Sequence, residues 1–128
     1  MDDDTWMMLK AAINSWPEAP EWLKKFRGLT IEQVNRLQIS EYSCDGDLVL
    51  PSVEERVLQS DYLTFLREQI DLGARGAEWT AVLKKRLASI EPFVGQKLMT
   101  VLFSKKPIWV AMKINPQDGR VINAEVWD

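Results

Sequence analysis

The side chains best placed to do chemistry in this sequence are carboxylates that cluster between residues 41 and 55. The cluster and the tyrosine within it comprise Glu41, Tyr42, Asp45, Asp47, Glu54 and Glu55. Grouped carboxylates raise the rate at which a basic partner associates and disfavour wrong partners. We therefore interpret these six residues as the candidate partner-binding surface. A nuclease would be a fitting partner, because it carries positive charge to hold phosphates.

Part of this cluster also has a structural interpretation. The run Ser52-Val53-Glu54-Glu55 matches a capping box, and acids in a first helical turn are favoured by the helix dipole alone. We favour that interpretation for Glu54 and Glu55. Asp45 and Asp47 flank Gly46 in a predicted turn, and the full pattern of a calcium-binding loop is absent. For these two acids both interpretations stay open.

Several catalytic groups are missing from the sequence. It has no histidine and one cysteine, Cys44, which excludes Ser–His and Cys–His nucleophile pairs and disfavours a zinc site. No glycine-rich phosphate loop is present. We therefore expect no catalytic residue, no metal and no cofactor, and we favour a protein without enzymatic activity. Binding or hydrolysis of a small molecule by paired carboxylates remains the alternative.

Composition and charge indicate one globular domain over residues 1–128. The chain is 46% hydrophobic and 27% charged, which is ordinary for a folded domain. The lone cysteine, the acidic run Asp2-Asp3-Asp4 and the lack of an apolar run of about 18 residues predict a cytoplasmic location and no membrane role.

Basic residues are concentrated in the second half of the chain, although the net charge is −3. The set is Lys84, Lys85, Arg86, Lys97, Lys105 and Lys106. With Trp109 it could form a nucleic-acid surface on which a base stacks. The acidic overall balance argues against nucleic acid as a partner, so we interpret these residues as the solvated face of a helix and a charged turn.

Hydrophobic periodicity predicts an α+β fold with N-terminal helices followed by a C-terminal three-stranded antiparallel meander packed on them. The first helix is capped by Asp4 or Thr5 and ends before Pro17. Further helices are expected from Pro20 to Gly28, from Thr30 to about Leu37 or Gln38, from Ser52 to Gly73, and from about Ala77 to Ser89.

The period changes to two residues from Lys97 onward, which predicts strands. They are expected over residues 97–103, 108–114 and 121–127, with Lys105-Lys106-Pro107 as the first turn and Asn115 to Gly119 as the second. Leu48-Val49-Leu50 is a possible further short strand limited by Pro51. The alternation places Trp109 and Trp127 together on the sheet face opposite Val110 and Met112, and we expect helices to cover that face.

The C-terminal hairpin VAMKINPQDGRVI, residues 110–122, is similar to strands that end several bacterial immunity proteins of polymorphic or contact-dependent toxin systems. The small, acidic, tryptophan-rich chain also resembles that class of protein in general character. The resemblance implies a stoichiometric inhibitor that binds a cognate toxin domain and blocks its active site.

Together these features predict a small cytosolic protein-binding module. Its partner is expected to be a protein, with a cognate toxin as the form that the resemblance implies. Two other functions remain open besides it, namely the carboxylate-dependent small-molecule domain and a structural subunit that associates through an exposed sheet face. A deep pocket lined by convergent acids would favour the carboxylate-dependent domain.

Overall fold

A computed structural model describes all 128 residues of the chain. The chain divides into two compact units, one formed by Met1–Glu54 with Met99–Asp128 and the other by Glu55–Leu98. The fold class is α+β, as predicted. The prediction of a single domain over residues 1–128 is not decided by this division and stays a prediction.

Three short helices lie in the first unit. Helix α1 spans Asp3–Asn14, α2 spans Glu21–Phe26 and α3 spans Ile31–Asn35. The side chain of Asp2 caps α1 by accepting a hydrogen bond from the Thr5 backbone N–H at 2.7 Å, so the expected cap at Asp4 or Thr5 is wrong. Asp2 takes this place because its backbone is extended, as a cap requires, whereas Asp4 and Thr5 already lie inside the helix.

The capping box expected at α3 is confirmed. The Thr30 hydroxyl accepts a hydrogen bond from the Gln33 N–H, and the Gln33 side chain accepts one from the Thr30 N–H. The helix ends at Asn35, earlier than the expected end near Gln38.

The sheet has four antiparallel strands in the order β1-β2-β3-β4, rather than the three predicted. Strand β2 spans Lys97–Lys105, β3 spans Ile108–Ile114 and β4 spans Val121–Trp127. These three are the predicted meander, and their pairing is confirmed.

The additional strand is β1, which spans Ser52–Val57 and replaces the start of a predicted helix. The capping box expected at Ser52 is therefore wrong, and the helix that follows, α4, begins at Ser60. Leu58 exchanges backbone hydrogen bonds with Gly95 and Gln96, which holds the end of β1 next to the start of β2. Pairing with β2 outweighs the local helical signal. The sequence did not predict this strand, because a short motif carries no information about a strand partner that is distant in the chain.

One face of the sheet and the three helices of the first unit share a hydrophobic core. Phe26 lies at its centre, because its ring meets Trp6 and Phe103 edge-on at centroid distances of 5.5 and 5.4 Å. The strands contribute alternate residues to this core, namely Met99, Val101, Phe103, Val110, Met112 and Ile114. Leu48 and Leu50 pack against it as well, although the strand expected there is irregular chain.

The second unit is a helical hairpin with a small core of its own. Helix α4 spans Ser60–Leu72 and α5 spans Ala77–Ile90. Gly73 ends α4 in the left-handed conformation with φ of 58°, as predicted for a C-terminal glycine cap. The buried residues of this unit are Leu58, Leu63, Leu66, Leu83, Ile90 and Leu98.

Candidate functional site

Four of the six predicted partner-binding residues lie in one loop that is closed at its base. The backbone N–H of Leu50 donates to the carbonyl of Gln38 at 2.9 Å, so the chain between them leaves and returns at nearly the same point. Within it, residues Ser40–Tyr42 form a single 3₁₀ turn, and the Ser43 hydroxyl donates to the Ser40 carbonyl at 2.7 Å. We call residues 39–49 the acidic loop. Such compact loops with close ends are often functional.

The outer part of the acidic loop is fixed by the turn between β2 and β3. The backbone N–H of Gly46 donates to the Lys106 carbonyl at 3.0 Å, and the Lys106 ammonium donates to the Ser43 carbonyl at 3.3 Å. Gly46 has a φ of 89°, a conformation that residues with a side chain rarely adopt. Two hydrogen bonds with Lys106 therefore hold the acidic loop, one at Ser43 and one at Gly46.

Asp47 and Asp45 have different roles in that turn. The Asp47 carboxylate accepts a hydrogen bond from the Cys44 backbone N–H at 3.0 Å, and the Asp47 N–H donates to the Cys44 carbonyl at 3.1 Å. Asp47 thus stabilises the turn through these two hydrogen bonds and also gives it a negative charge. Aspartate side chains commonly stabilise turns in this way. Asp45 is exposed at the tip. The structural interpretation therefore applies to Asp47, while Asp45 keeps a partner-binding interpretation.

Tyr42 is the most exposed large apolar or aromatic side chain in the molecule, with 72% of its surface accessible. Its neighbour Glu41 is also exposed. The acidic loop accordingly presents one aromatic ring among carboxylates on a backbone held by hydrogen bonds. Tyrosine combines a large contact area with a polar tip, so this arrangement is suited to contact a basic protein surface.

Glu54 and Glu55 do not join this surface as one group. Both are exposed in β1, where consecutive side chains point to opposite faces of the sheet. Their predicted place in a first helical turn is wrong, because the segment is extended. Four of the six predicted residues therefore lie in the acidic loop and two lie on an edge strand.

A second surface lies on the sheet face opposite the core of the first unit. Trp109 and Trp127 are directly paired across β3 and β4, as the alternation predicted. The expected cover of helices is wrong for Trp127, which is 36% exposed, while Trp109 is half-buried. Helices α1, α2 and α3 pack against the other face, since their apolar residues belong to the core there.

The sequence did not predict the contacts of Lys106, which was identified only as a member of the basic set. Its partner Ser43 is 63 residues away in the chain, and no local pattern reports such a bond. The other basic residues named with it include Lys84, which lines a surface groove of about 340 Å³ in the helical hairpin.

That groove has mixed charge. Arg67 and Lys84 line it together with Asp71 and Glu91, and the Arg67 guanidinium lies 3.6 Å from the Glu91 carboxylate. Paired carboxylates that act on a substrate need two acids directed at one point. Here one of the two acids faces an arginine, so the groove does not favour the carboxylate-dependent alternative.

Comparison with known protein families, curated proteins and solved structures found no match to this chain. None of its helices has both the length and the apolar character needed to cross a bilayer. No group of three or more cysteine, aspartate or glutamate side chains is arranged to hold a metal ion.

Proposed function

We propose that this protein is a protein-binding module and that its acidic loop docks on a basic surface of the partner. The observation that carries the proposal is the presentation of Tyr42, 72% exposed, beside Glu41 and Asp45 on a loop that hydrogen bonds hold in place. A loop already held in one conformation loses less entropy on binding than a free one.

The two kinds of side chain contribute differently to binding. Tyrosine is enriched among the few residues that supply most of the affinity of an interface. Carboxylates at the edge of an interface act mainly on the association rate, through long-range attraction that salt screens. We therefore expect Tyr42 to supply most of the affinity of this surface, and Glu41 and Asp45 to raise the association rate.

The more specific form of the proposal is a bacterial immunity protein that acts in the cytoplasm. It rests on the similarity of the C-terminal hairpin to strands of that class and on the acidic character of the loop. The partner would be a toxin domain with a basic active-site surface, such as a nuclease, and the module would block that surface by stoichiometric binding.

The test begins with identification of binders in an extract of the native host by affinity capture and mass spectrometry. Association and dissociation rates are then measured with the purified binder for the unchanged chain, for Asp45→Lys and for Tyr42→Ala. We expect Asp45→Lys to lower the association rate several-fold, more strongly at low salt, and Tyr42→Ala to raise the dissociation rate.

Glu18→Lys is the matched control, since Glu18 is also exposed but lies between α1 and α2. It changes the net charge by the same amount and should affect the rates far less than Asp45→Lys. Equal effects of the two charge reversals would show that only the total charge matters. Unchanged rates in Asp45→Lys and Tyr42→Ala would exclude the acidic loop as the docking surface.

A further inference from the structure

The two sides of the helical hairpin carry different side chains. The mixed-charge groove lies on one side, where Arg67 and Glu91 are paired. On the other side, residues at helical spacing form one row on each helix. The row on α4 consists of Tyr62, Phe65, Gln69 and Leu72, and the row on α5 consists of Trp79, Val82 and Arg86. Neither row contains a carboxylate.

Contacts between neighbouring side chains join these rows and Arg75 into one surface. The Arg75 guanidinium lies over the Trp79 ring, 4.7 Å from its centroid, and the Arg86 guanidinium lies 5.7 Å from the same centroid. Arg86 also donates to the Tyr62 hydroxyl at 3.2 Å, and the rings of Tyr62 and Phe65 stack with their centroids 6.5 Å apart. We call Arg75, Trp79, Arg86, Tyr62 and Phe65 the arginine–aromatic face.

Large apolar side chains are accessible along this face. Phe65 is 52% exposed, and Leu72, in the same row of α4, is 71% exposed. They are two helical turns apart, which is about 10 Å. Tryptophan, tyrosine and arginine are the residue types most enriched among those that supply the affinity of protein interfaces. The arginine–aromatic face therefore has the composition of the centre of an interface.

The charge of this face is positive and is supplied by Arg75 and Arg86. The nearby acids Glu68 and Glu78 are exposed on the outer surfaces of their helices, outside the two rows. Arg75 contacts the Trp79 ring rather than a carboxylate. A guanidinium that stacks on a ring keeps the N–H groups at its edge for two parallel hydrogen bonds to a carboxylate. The complement of this face is therefore an anionic group beside apolar side chains.

We propose that the arginine–aromatic face binds a protein segment that presents a carboxylate beside large apolar side chains. The carboxylate pairs with Arg75, and the apolar side chains cover Phe65 and Leu72. The acidic loop cannot be the docking site of such a segment, because it repels the carboxylate. Binding at this face therefore does not depend on the acidic loop, and it gives the protein a second contact of opposite charge.

Single-stranded nucleic acid is the other anionic partner with apolar surfaces, and the geometry disfavours it. A base stacks on an open aromatic ring, but guanidinium groups lie over the Trp79 ring. A base would have to displace one of them. Affinity for nucleic acid also depends on many phosphate contacts, whereas this face supplies two arginines in a chain with a net charge of −3. These features favour a carboxylate from a protein.

The experiment selects binders of the full-length chain from a phage library of random dodecapeptides. We expect the recovered peptides to carry aspartate or glutamate together with large apolar residues. Their affinities, measured by fluorescence anisotropy, should fall about tenfold or more in Arg75→Glu, because the peptide carboxylate loses its partner and meets a like charge. Lys85→Glu is the matched control, since Lys85 is exposed on the same hairpin outside the two rows. It makes the same charge change and should alter the affinity far less.

NMR of the unchanged chain with the same peptides provides a readout that does not depend on a variant. The indole resonance of Trp79 and the ring resonances of Phe65 should shift on binding. Asp45→Lys, in the acidic loop, should leave the peptide affinity unchanged, which separates this proposal from that for the loop.

Four results would overturn the proposal. They are a selection that yields no binding peptide, recovered peptides without an acidic residue, equal losses of affinity in Arg75→Glu and Lys85→Glu, and shifts that leave Trp79 and Phe65 unaffected. A labelled single-stranded oligothymidylate that binds more tightly than the peptides would also overturn it, in favour of nucleic acid.

Discussion

Trp109 and Trp127 lie directly opposite each other on β3 and β4, on the sheet face that the helices of the first unit leave open. The indole N–H of Trp127 donates to Glu125, which lies on the same face. This pair gives the sheet an aromatic surface at the edge strand. Neither tryptophan belongs to the acidic loop, so variants of the two surfaces can be tested one at a time.

Glu125→Ala is expected to release the Trp127 indole. The N–H would lose its acceptor, and its proton resonance should move upfield in a nitrogen-correlated NMR spectrum. Glu125→Gln is the control, because its side-chain carbonyl can still accept one hydrogen bond. If the indole resonance of Trp127 moves equally in both variants, the hydrogen bond to Glu125 does not determine its environment.

Lys106→Met is expected to loosen the acidic loop without disturbing the core. Methionine keeps the apolar stem but removes the ammonium that binds the Ser43 carbonyl. One such bond contributes about 0.5–1.5 kcal/mol to stability, and backbone amides of residues 43–47 should exchange several-fold faster. Lys85→Met, at an exposed position of α5, should leave that exchange unchanged. Equal exchange rates in Lys106→Met and the unchanged chain would contradict this account of the loop.

Trp6→Phe is expected to destabilise the first unit. Trp6 is buried, its indole donates to the Leu29 carbonyl at 3.2 Å, and its ring meets Phe26 edge-on. The smaller ring leaves both a void and a carbonyl without its donor, which together cost about 1–3 kcal/mol. Urea unfolding measures this loss. Met7→Ala, next to it on the exposed side of α1, should change the free energy of unfolding by less than about 0.5 kcal/mol.

The cap of α1 predicts a pH dependence at the acid end. The backbone hydrogen bond from Thr5 lowers the pKa of Asp2 below its ordinary value of 3.8. A lowered folded-state pKa means that the stabilisation is complete above 3.8 and is lost as the pH falls through the folded value. The difference in melting temperature between the unchanged chain and Asp2→Asn should therefore shrink as the pH falls below 3.8. A difference that grows in that range would contradict the assigned cap.

Local sequence determined the parts of this fold whose physics is local. The capping box at Thr30 and the helix stop at Gly73 depend on residues a few positions apart. The pairing of Trp109 with Trp127 depends on the alternation within β3 and β4 and on the hairpin that joins them. Their hydrogen bonds and side-chain directions follow from backbone geometry within one element or one hairpin. The meander of β2, β3 and β4 was predictable for the same reason.

Only the tertiary structure decided β1 and the form of the acidic loop. The segment Ser52–Val57 carries a helical motif and is nevertheless a strand, because its neighbour in the sheet is β2, which lies far from it in the sequence. The acidic residues of the loop were visible in the sequence, but the contacts of Lys106 that hold it were not. Local signals compete with partners that only folding brings close, and at these two places the distant partners determine the structure.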